Sequence, residues 1–556
     1  MAPQAWRVVG GSSNGGIVVR VDKDTKSQEA SQRLKTGSLI QEIEVQGERL
    51  RFALLSGEGP ECGWVSLHFK GNELVQRVAE DVGPVGPGDG RSVWVMSSGS
   101  RGDMQPLIAL STGLRKAGYS IRMFVPDLYR DTVEALGCDY SDGGSWGEVI
   151  EQLGDILKSD LRAQGIDIQE LKVRTYEKCY AAMATSLRQE LDKRKPDLMI
   201  WGGDAAIFAL GIWRQYAIPT IHATATLPDA KHWPEAERLA PVVAKHLGFN
   251  PLEGFTEASW KDAQMDWDTL LIGCSATIFD AGILDSRILR LPENAYGGPA
   301  HYREMMRKHR TKFTGSWICD QHTEHDTKGD FWGGSATQVK LQKFLSEGDA
   351  PVYIGWGSMM PPAGPKVVLL STLGALMLAG KRGIVLEGWA QLTLNSLKEI
   401  CEQSKVENHK KIFEYAKENV LFVETAPHQW LFPQCSALIH HGGAGTFVAG
   451  LRAGVPQIIT PMYYDQFMYA DMVSKMGIGF AVENWSTPKL QKAVEGCTDA
   501  AGPQKAKAKE MAVGILKENG VSAGVEIVNT FWAEQVETGN FQRKWQEAHP
   551  NAVAAA

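Results

Sequence analysis

Residues 440–466, HHGGAGTFVAGLRAGVPQIITPMYYDQ, combine side chains that could bind an anion and a sugar. The apolar run before this stretch predicts a buried strand and TFVAGLRAG predicts a helix, so the glycines form a strand-to-helix turn. Backbone amides at a helix start bind phosphate groups. His441 adds an imidazole donor, and Thr446 either caps the helix or contacts a phosphate oxygen. The stretch predicts a diphosphate site that needs no divalent metal; a glycine turn used only for packing is the alternative.

Asp465 and Gln466 follow the next predicted strand, VPQIITP. The carboxyl ends of parallel strands meet at one edge of a sheet, so we expect both side chains beside the same turn. A carboxylate accepts hydrogen bonds and an amide also donates them, a combination that binds neighbouring sugar hydroxyls. Helix capping by Asp465 is the simpler alternative.

Two segments of alternating strands and helices must position these residues. SVWVMSSGS, beginning at residue 92, starts the first, and APVYIGWGSM, beginning at residue 350, starts the second. This alternation predicts an α/β fold with parallel, doubly wound sheets. We expect two Rossmann-like lobes that face each other across a cleft, an acceptor-binding lobe at 92–325 and a donor-binding lobe with terminal helices at 326–545. Residues 546–556 predict a disordered tail.

The amino-terminal part of the chain has a different pattern. Residues 1–82 contain short β-type runs separated by glycine-rich and charged turns, which predicts a small all-β barrel. GEGPECGWVSL resembles a bacterial SH3-like module. Residues 83–91 are rich in Gly and Pro and predict a linker.

Composition limits the classes of function. Of 556 residues 43% are hydrophobic and 22% charged, as in soluble globular proteins. The net charge of -7 gives no electrostatic reason to expect nucleic acid as a partner. Eight scattered cysteines favour a reducing compartment. The start has no apolar signal region and no apolar run is long enough to span a bilayer. These features predict a cytoplasmic protein and leave peripheral membrane contact open.

The 440–466 stretch is similar to the nucleotide-sugar signature of UDP-sugar-dependent glycosyltransferases of the GT-B fold, in particular to the sterol and glycopeptide glucosyltransferase branch. ETAPHQWLFPQC, PVYIGWGSM and GSRGDMQPLIALSTGL resemble further motifs of that branch, in the same order along the chain. Two departures are modest. Phe447 stands where a second Thr is usual, and MYYDQ replaces FFGDQ, so the bulkier Tyr464 could shift donor preference.

The resemblance implies roles for individual residues. Trp389 could instead be a core aromatic, and His222 a satisfied core histidine, while Trp430 is expected to be buried packing. The implied set is Ser358, His441, Gly442, Gly443, Ala444, Gly445 and Thr446 for the diphosphate, Asp465 and Gln466 for the donor sugar, His428 and Trp389 for the nucleoside, and Ser100, Arg101 and His222 on the acceptor side.

The resemblance also places the general base at Asp103. A base that takes the proton of the acceptor hydroxyl accelerates transfer by about 10² to 10⁴. Attack on the face opposite the diphosphate implies inversion at the anomeric carbon, with UDP-glucose as co-substrate and without a metal or other cofactor. Two alternatives stay open: Asp103 caps a helix that begins near Met104, or it pairs with Arg101, which would lower its pKa.

The acceptor follows from the sequence less directly. The first lobe departs most from the resemblance in aromatic segments such as WGGDAAIFALGIWRQ, and an apolar pocket there would suit a hydrophobic acceptor, with a sterol first and a polyketide or phenolic second. Rival functions are a nucleotide-sugar 2-epimerase and a non-catalytic UDP-sugar-binding protein. The amino-terminal barrel could bind an unknown partner or a membrane.

Overall fold

A computed structural model describes most of the chain, and its contacts divide it into two compact units, Met1–Gly86 and Pro87–Ala556. The described residues are 5–11, 15–56, 58–60, 62–69, 72–77, 88, 90–99, 101–145, 168–202, 205–225, 233–265, 270–273, 311–318, 335–359, 361, 363–462 and 465–549.

The first unit is built on an antiparallel sheet. Its strands pair in the order β4-β3-β2-β1-β7, and β5 and β6 form a separate two-stranded ribbon. Trp6, Ile40, Phe52 and Val65 lie in its core. The predicted all-β character is confirmed, whereas closure into an SH3-like barrel is not. The strands are β1 Ala5–Val8, β2 Leu39–Gln46, β3 Arg49–Ser56, β4 Cys62–Ser66, β5 His68–Phe69, β6 Asn72–Glu73 and β7 Val75–Arg77.

The second unit begins with a seven-stranded parallel sheet in the order β10-β9-β8-β11-β12-β13-β14. Its central strands are buried on both faces, as their continuous apolar runs require. The strands are β8 Ser92–Met96, β9 Ser120–Val125, β10 Asp139–Asp142, β11 Leu198–Trp201, β12 Thr220–Thr224, β13 Leu270–Ile272 and β14 Thr311–Phe313. The helices are α1 Arg101–Lys116, α2 Arg130–Ala135, α3 Ile168–Lys193, α4 Ala206–Tyr216, α5 Trp233–Leu247 and α6 Glu257–Met265.

A second lobe follows, with a six-stranded parallel sheet in the order β17-β16-β15-β18-β19-β20. The strands are β15 Val352–Gly355, β16 Gly383–Leu386, β17 Val420–Val423, β18 Ala437–His440, β19 Gln457–Ile459 and β20 Gly479–Ala481. The helices are α7 Ser335–Ser346, α8 Gly364–Ala379, α9 Leu394–Glu402, α10 Glu407–Asn419, α11 His428–Leu431, α12 Ala444–Ala453, α13 Asp465–Lys475, α14 Thr487–Thr498 and α15 Pro503–Ile515. The predicted α/β fold with two parallel-sheet lobes is confirmed.

The last helices, α16 Gly520–Phe531 and α17 Asn540–Ala548, pack against the first lobe rather than the second. Phe541 and Trp545 lie one turn apart on α17 and are both buried, and Trp545 Nε1 donates a hydrogen bond to Trp213 O at 3.2 Å. The sequence predicts that this part of 326–545 belongs to the donor lobe, and the packing of both helices differs from that prediction. Helix α17 also continues into the predicted tail, and residues 550–556 lie outside the described part.

No helix in the described part of the chain is both long and apolar enough to cross a membrane. Most of the predicted 83–91 linker lies outside the described residues.

Candidate active site

The carboxyl edge of the second sheet brings three of the predicted segments to one place. In the register of the sheet Gly355 lies beside His440, and His440 beside Ile459. The turns that follow β15, β18 and β19 therefore start at the same level. These turns carry Ser358, the residues 441–446, and the pair Asp465–Gln466.

The 441–446 turn comprises residues 441–443, which leave β18, and the first three residues of α12. Gly443 is the N-cap residue, with φ -63° and ψ 142°, and no side chain in the described part of the chain caps the helix. The first helical bond runs from Phe447 N to Gly443 O at 2.9 Å. The amides of residues 444–446 thus have no partner within the helix, and they are the donors that an anion meets at a helix start. Thr446 lies inside the first turn, so it does not act as the cap.

His441 lies over this helix start and is buried, with 8% of its surface exposed. A Cβ atom placed on Gly443 would be 2.4 Å from His441 Nε2, so the ring covers the backbone of the turn. His441 Nδ1 is buried and has no hydrogen-bond partner among the described residues. Burial, reinforced by His440, lowers the pKa of His441 to about 3, so the ring is neutral near pH 7. A buried orphan nitrogen costs about 1–3 kcal/mol, and a phosphate oxygen would satisfy it.

Gly442 was predicted to bind the diphosphate, but its backbone amide has a partner within the protein. Its N–H donates to His440 Nδ1 at 3.0 Å, so this amide is not free for an anion. Its φ is +93°, and a Cβ atom there would be 2.7 Å from Ile459 Cγ2. Glycine is needed at this position for the path of the backbone and for close approach to β19.

His440 and Gln457 were not singled out from the sequence, although both shape the turn. Each has 0% of its surface exposed. His440 Nε2 lies 2.9 Å from Gln457 Oε1, and Gln457 Nε2 donates to Phe447 O at 3.1 Å. A signal was present in the sequence, because two polar residues at the ends of apolar strands need partners.

The turns after β15 and β16 are joined by their backbones. Trp389 N donates to Gly357 O at 3.0 Å, and Ser358 is half-buried in the first of these turns. Gly388 has φ +53°, and a Cβ there would be 2.6 Å from Gly357 O. The Trp389 side chain is 37% exposed, so it is not a core aromatic. Its contact with a nucleoside stays a prediction.

His428 begins α11 and is held by protein contacts. Its Nε2 lies 3.1 Å from Tyr353 Oη, and its ring stacks on Phe432 with centroids 4.4 Å apart. Trp430 is half-buried and packs in the same cluster, as expected. The nucleoside role of His428 remains untested by this geometry.

Asp465 and Gln466 are the first residues of α13. Gln466 is buried, and its Oε1 accepts a hydrogen bond from Met462 N at 2.9 Å, which fixes the segment that leads into the helix. Asp465 is half-buried. Tyr464, which was expected to affect donor preference, lies outside the described residues.

In the first lobe, Asp103 is exposed in the first turn of α1. The helix begins at Arg101, earlier than the expected start near Met104, so Asp103 is inside the helix rather than at its N-cap. Gly99 has φ +135°, and a Cβ there would be 2.5 Å from Asp103 Oδ2. The carboxylate therefore lies over the turn that leaves β8. Ser100 and the side chain of Arg101 lie outside the described part.

His222 sits at the carboxyl edge of the same sheet, beside Trp201 in the register of β11 and β12. The two rings stack at 3.9 Å with an angle of 3° between their planes, and His222 is buried. Trp201 Nε1 and the hydroxyls of Ser97 and Ser98, which follow β8, are buried without a hydrogen-bond partner in the described chain. This edge thus has polar groups that a ligand could satisfy.

No three His, Cys, Asp or Glu side chains of the described residues lie close enough together to hold a metal ion.

Comparison with known proteins agrees with this geometry. Residues 398–528 match the family described as "Erythromycin biosynthesis protein CIII-like, C-terminal domain". The chain is 25% identical over 464 residues to the sterol 3-beta-glucosyltransferase of Saccharomyces cerevisiae. This match covers 78% of this chain and 34% of that protein. It is 38% identical over 188 residues to the sterol 3-beta-glucosyltransferase UGT80B1 of Arabidopsis thaliana, covering 33% of this chain and 27% of that protein. The match thus spans about a third, or less, of these relatives.

Solved structures share the fold. Arabidopsis thaliana UGT89C1 complexed with UDP-L-rhamnose has a TM-score of 0.53 and 14% identity, covering 80% of this chain and 99% of that chain. The calicheamicin glycosyltransferase CalG4 has a TM-score of 0.52 and 14% identity, covering 80% and 99%. The expected resemblance is confirmed: the chain is a homologue of the sterol 3-beta-glucosyltransferases and has the two-lobed fold of GT-B glycosyltransferases.

Proposed function

We propose that this protein is an inverting, metal-independent glycosyltransferase that moves glucose from UDP-glucose to a hydroxyl of a hydrophobic acceptor, with a sterol as first choice. The observation that carries the proposal is the start of α12, where the His441 ring covers the turn before three uncapped amides, and where its buried Nδ1 has no hydrogen-bond partner among the described residues. Such a group of donors matches the chemistry of a diphosphate.

On the donor side, the amides of residues 444–446 and the His441 ring bind the diphosphate. Negative charge grows on the diphosphate as the bond to the sugar breaks, and donors already in place stabilise that charge. Because the pKa of His441 is lowered to about 3, the ring acts as a neutral hydrogen-bond donor rather than a cation. Ser358 adds a hydroxyl, and Asp465 with Gln466 binds sugar hydroxyls.

On the acceptor side, Asp103 takes the proton of the acceptor hydroxyl. The hydroxyl oxygen forms a bond to the anomeric carbon on the face opposite UDP, the bond from that carbon to the diphosphate oxygen breaks, and UDP leaves with the electron pair. This displacement inverts the anomeric centre. Exposure of Asp103 in the first turn of α1 supports the role, because a general base must reach a bound substrate.

The names of the relatives favour a sterol acceptor, since the Saccharomyces cerevisiae and Arabidopsis thaliana proteins are both sterol 3-beta-glucosyltransferases. A polyketide or phenolic acceptor is the second candidate. We also expect a cytoplasmic location with peripheral membrane contact. The amino-terminal unit is expected to bind a partner.

The test is UDP release from UDP-glucose, measured with and without a panel of sterols and phenolics, in the presence and absence of EDTA. We expect sterol-dependent release that survives EDTA and falls by about 10² to 10⁴ in Asp103→Asn. Asp131→Asn, which changes an exposed aspartate in the first turn of α2, is the matched control and should keep full activity.

Other results would contradict the proposal in distinct ways. UDP binding without release indicates a non-catalytic binding protein, and release with a free 2-epimeric sugar and no acceptor indicates the epimerase. UDP release that depends on phenolics alone would show that the acceptor is a phenolic and not a sterol. Loss of UDP release in EDTA would show that the reaction requires a metal. Full activity in Asp103→Asn would show that Asp103 is not the general base.

A further inference from the structure

We infer that His440 is a positioning residue, held in its Nε2–H tautomer by Gln457, which keeps the 441–446 turn in the shape that directs the amides of α12 at the diphosphate. The inference rests on the proposed diphosphate site. It concerns a residue next to that site, since His440 has none of its surface exposed.

The hydrogen bonds of His440 and Gln457 determine which atom donates and which accepts in each pair. A backbone N–H can only donate, so the bond from Gly442 N at 3.0 Å requires a lone pair on His440 Nδ1. In a neutral ring the proton is then on Nε2, which donates to Gln457 Oε1 at 2.9 Å. The amide group of Gln457 is thereby oriented, and its Nε2 donates to Phe447 O at 3.1 Å.

These bonds connect the parts of the turn that must stay in register. They connect Gly442 in the turn to His440 at the end of β18, His440 to Gln457 at the start of β19, and Gln457 to Phe447 in the first turn of α12. Phe447 closes the connection, because its own N–H bonds to Gly443 O at 2.9 Å. His440 O also accepts from Thr460 N at 2.9 Å, which holds β18 against the chain that leaves β19.

The contact with Gly450 shows that the Gln457 side chain has little room to turn. A Cβ atom on Gly450 would be 2.6 Å from Gln457 Cδ, so the backbone of α12 packs closely against the amide group. Because His440 and Gln457 are both fully buried, a donor that loses its partner here costs more free energy than one at the surface.

The arrangement explains why Gly442 and the following residues behave differently. Gly442 N–H is bound internally, while the amides of 444–446 have no hydrogen-bond partner among the described residues and can bind the ligand. A doubly protonated His440 ring would place an N–H against the N–H of Gly442 and break the bond. Burial, which lowers the pKa of His440 to about 4, keeps the ring neutral at the pH of a cell.

Two substitutions of His440 separate the acceptor from the rest of the side chain. In His440→Asn the amide oxygen reaches about the position of Nδ1 and still accepts from Gly442. In His440→Gln the longer side chain reaches Gln457 but offers no acceptor at that position. Binding of UDP and of uridine to each protein is measured by calorimetry, because uridine lacks the diphosphate and reports on the rest of the lobe.

We expect His440→Gln to bind UDP at least about 5-fold more weakly, because the turn changes shape to give the buried Gly442 N–H another partner and no longer directs the amides of α12 at the diphosphate. Uridine binding should stay within twofold of the wild type. His440→Asn should keep UDP binding within about threefold. Equal loss of UDP and uridine affinity in a folded His440→Gln protein would show a merely structural role. Unchanged UDP binding in His440→Gln, or equal loss in both variants, would also overturn the inference.

Gln457→Glu is the second test if His440→Gln does not fold. A carboxylate beside Nε2 favours the doubly protonated ring, so UDP affinity should fall more steeply between pH 8 and pH 6 in Gln457→Glu than in the wild type, in which the UDP phosphate titrates in the same way; uridine affinity should stay constant in both proteins. The same pH dependence of UDP affinity in both proteins would overturn the inference. If the wild-type protein binds UDP no more tightly than uridine, the proposed diphosphate site fails instead, which keeps the two failures distinct.

Discussion

Gly443→Ala is expected to weaken UDP binding by moving a neighbouring side chain. The backbone of Gly443 has φ -63° and ψ 142°, a conformation open to alanine, so the substitution causes no backbone strain. The new methyl group would be 2.4 Å from His441 Nε2. Real carbon and nitrogen atoms do not approach so closely, so the imidazole must leave its place over the helix start.

The size of the effect follows from the bond that is lost. A hydrogen bond to a charged group contributes about 1.5–3 kcal/mol, which corresponds to roughly 10-fold to 150-fold weaker UDP binding. The free energy of unfolding should also fall, by about 1–3 kcal/mol, because the buried imidazole has to repack around the new methyl group.

A double-mutant cycle with His441→Ala tests this reasoning. With the imidazole removed, the methyl group at position 443 has room, so Gly443→Ala should weaken UDP binding no further. Calorimetry with UDP on the wild type, both single variants and the double variant gives the coupling energy. Gly514→Ala is the control, because a Cβ there meets nothing within 4 Å. Additive losses, or wild-type affinity in Gly443→Ala, would refute the proposed contact.

Three further predictions concern stability and the nucleoside. The folded pKa values of His440 and His441, about 4 and about 3, lie below the unfolded value of 6.5. The contribution of the two neutral histidines to the free energy of unfolding is therefore fully present above pH 6.5. It falls as the pH drops towards the folded pKa values, by about 1.4 kcal/mol per pH unit for each histidine. Urea unfolding at pH 7 and pH 5 measures this fall, which should be smaller in His441→Ala. Trp545→Ala should cost about 3–5 kcal/mol in the same assay, while Leu516→Ala, at an exposed position, stays near the wild type. Trp389→Ala should weaken uridine binding about 5-fold or more by calorimetry, and unchanged affinity would remove its nucleoside contact.

Most of the fold was predictable from local patterns. Apolar runs such as SVWVM and ALIH, each followed by a helical pattern, identified the strands and their parallel order because parallel sheets bury both faces. The start of α12 was predictable for the same reason, since glycines between a strand and a helix mark a turn. The position of the carboxyl edge then predicted that Asp465 and Gln466 lie beside the 441–446 turn, whereas Ser358 was assigned only through the resemblance to the glycosyltransferases.

Other features depend on contacts between distant residues. Helix α17 packs on the first lobe through Trp545 and Trp213, which are 332 positions apart, and no local pattern indicates which lobe it meets. The amide of Gly442 was expected to face the ligand, but its direction depends on the tautomer of His440 and therefore on Gln457. Such choices are made by hydrogen-bond partners brought together only in the folded protein.

The central claim is that the start of α12 and the His441 ring bind the diphosphate of the donor. A crystal structure of the protein with UDP tests it most directly. The account predicts phosphate oxygens within about 3.2 Å of the amide nitrogens of residues 444–446 and of one nitrogen of His441. Density for the diphosphate elsewhere, with His441 Nδ1 still unpartnered, would contradict it.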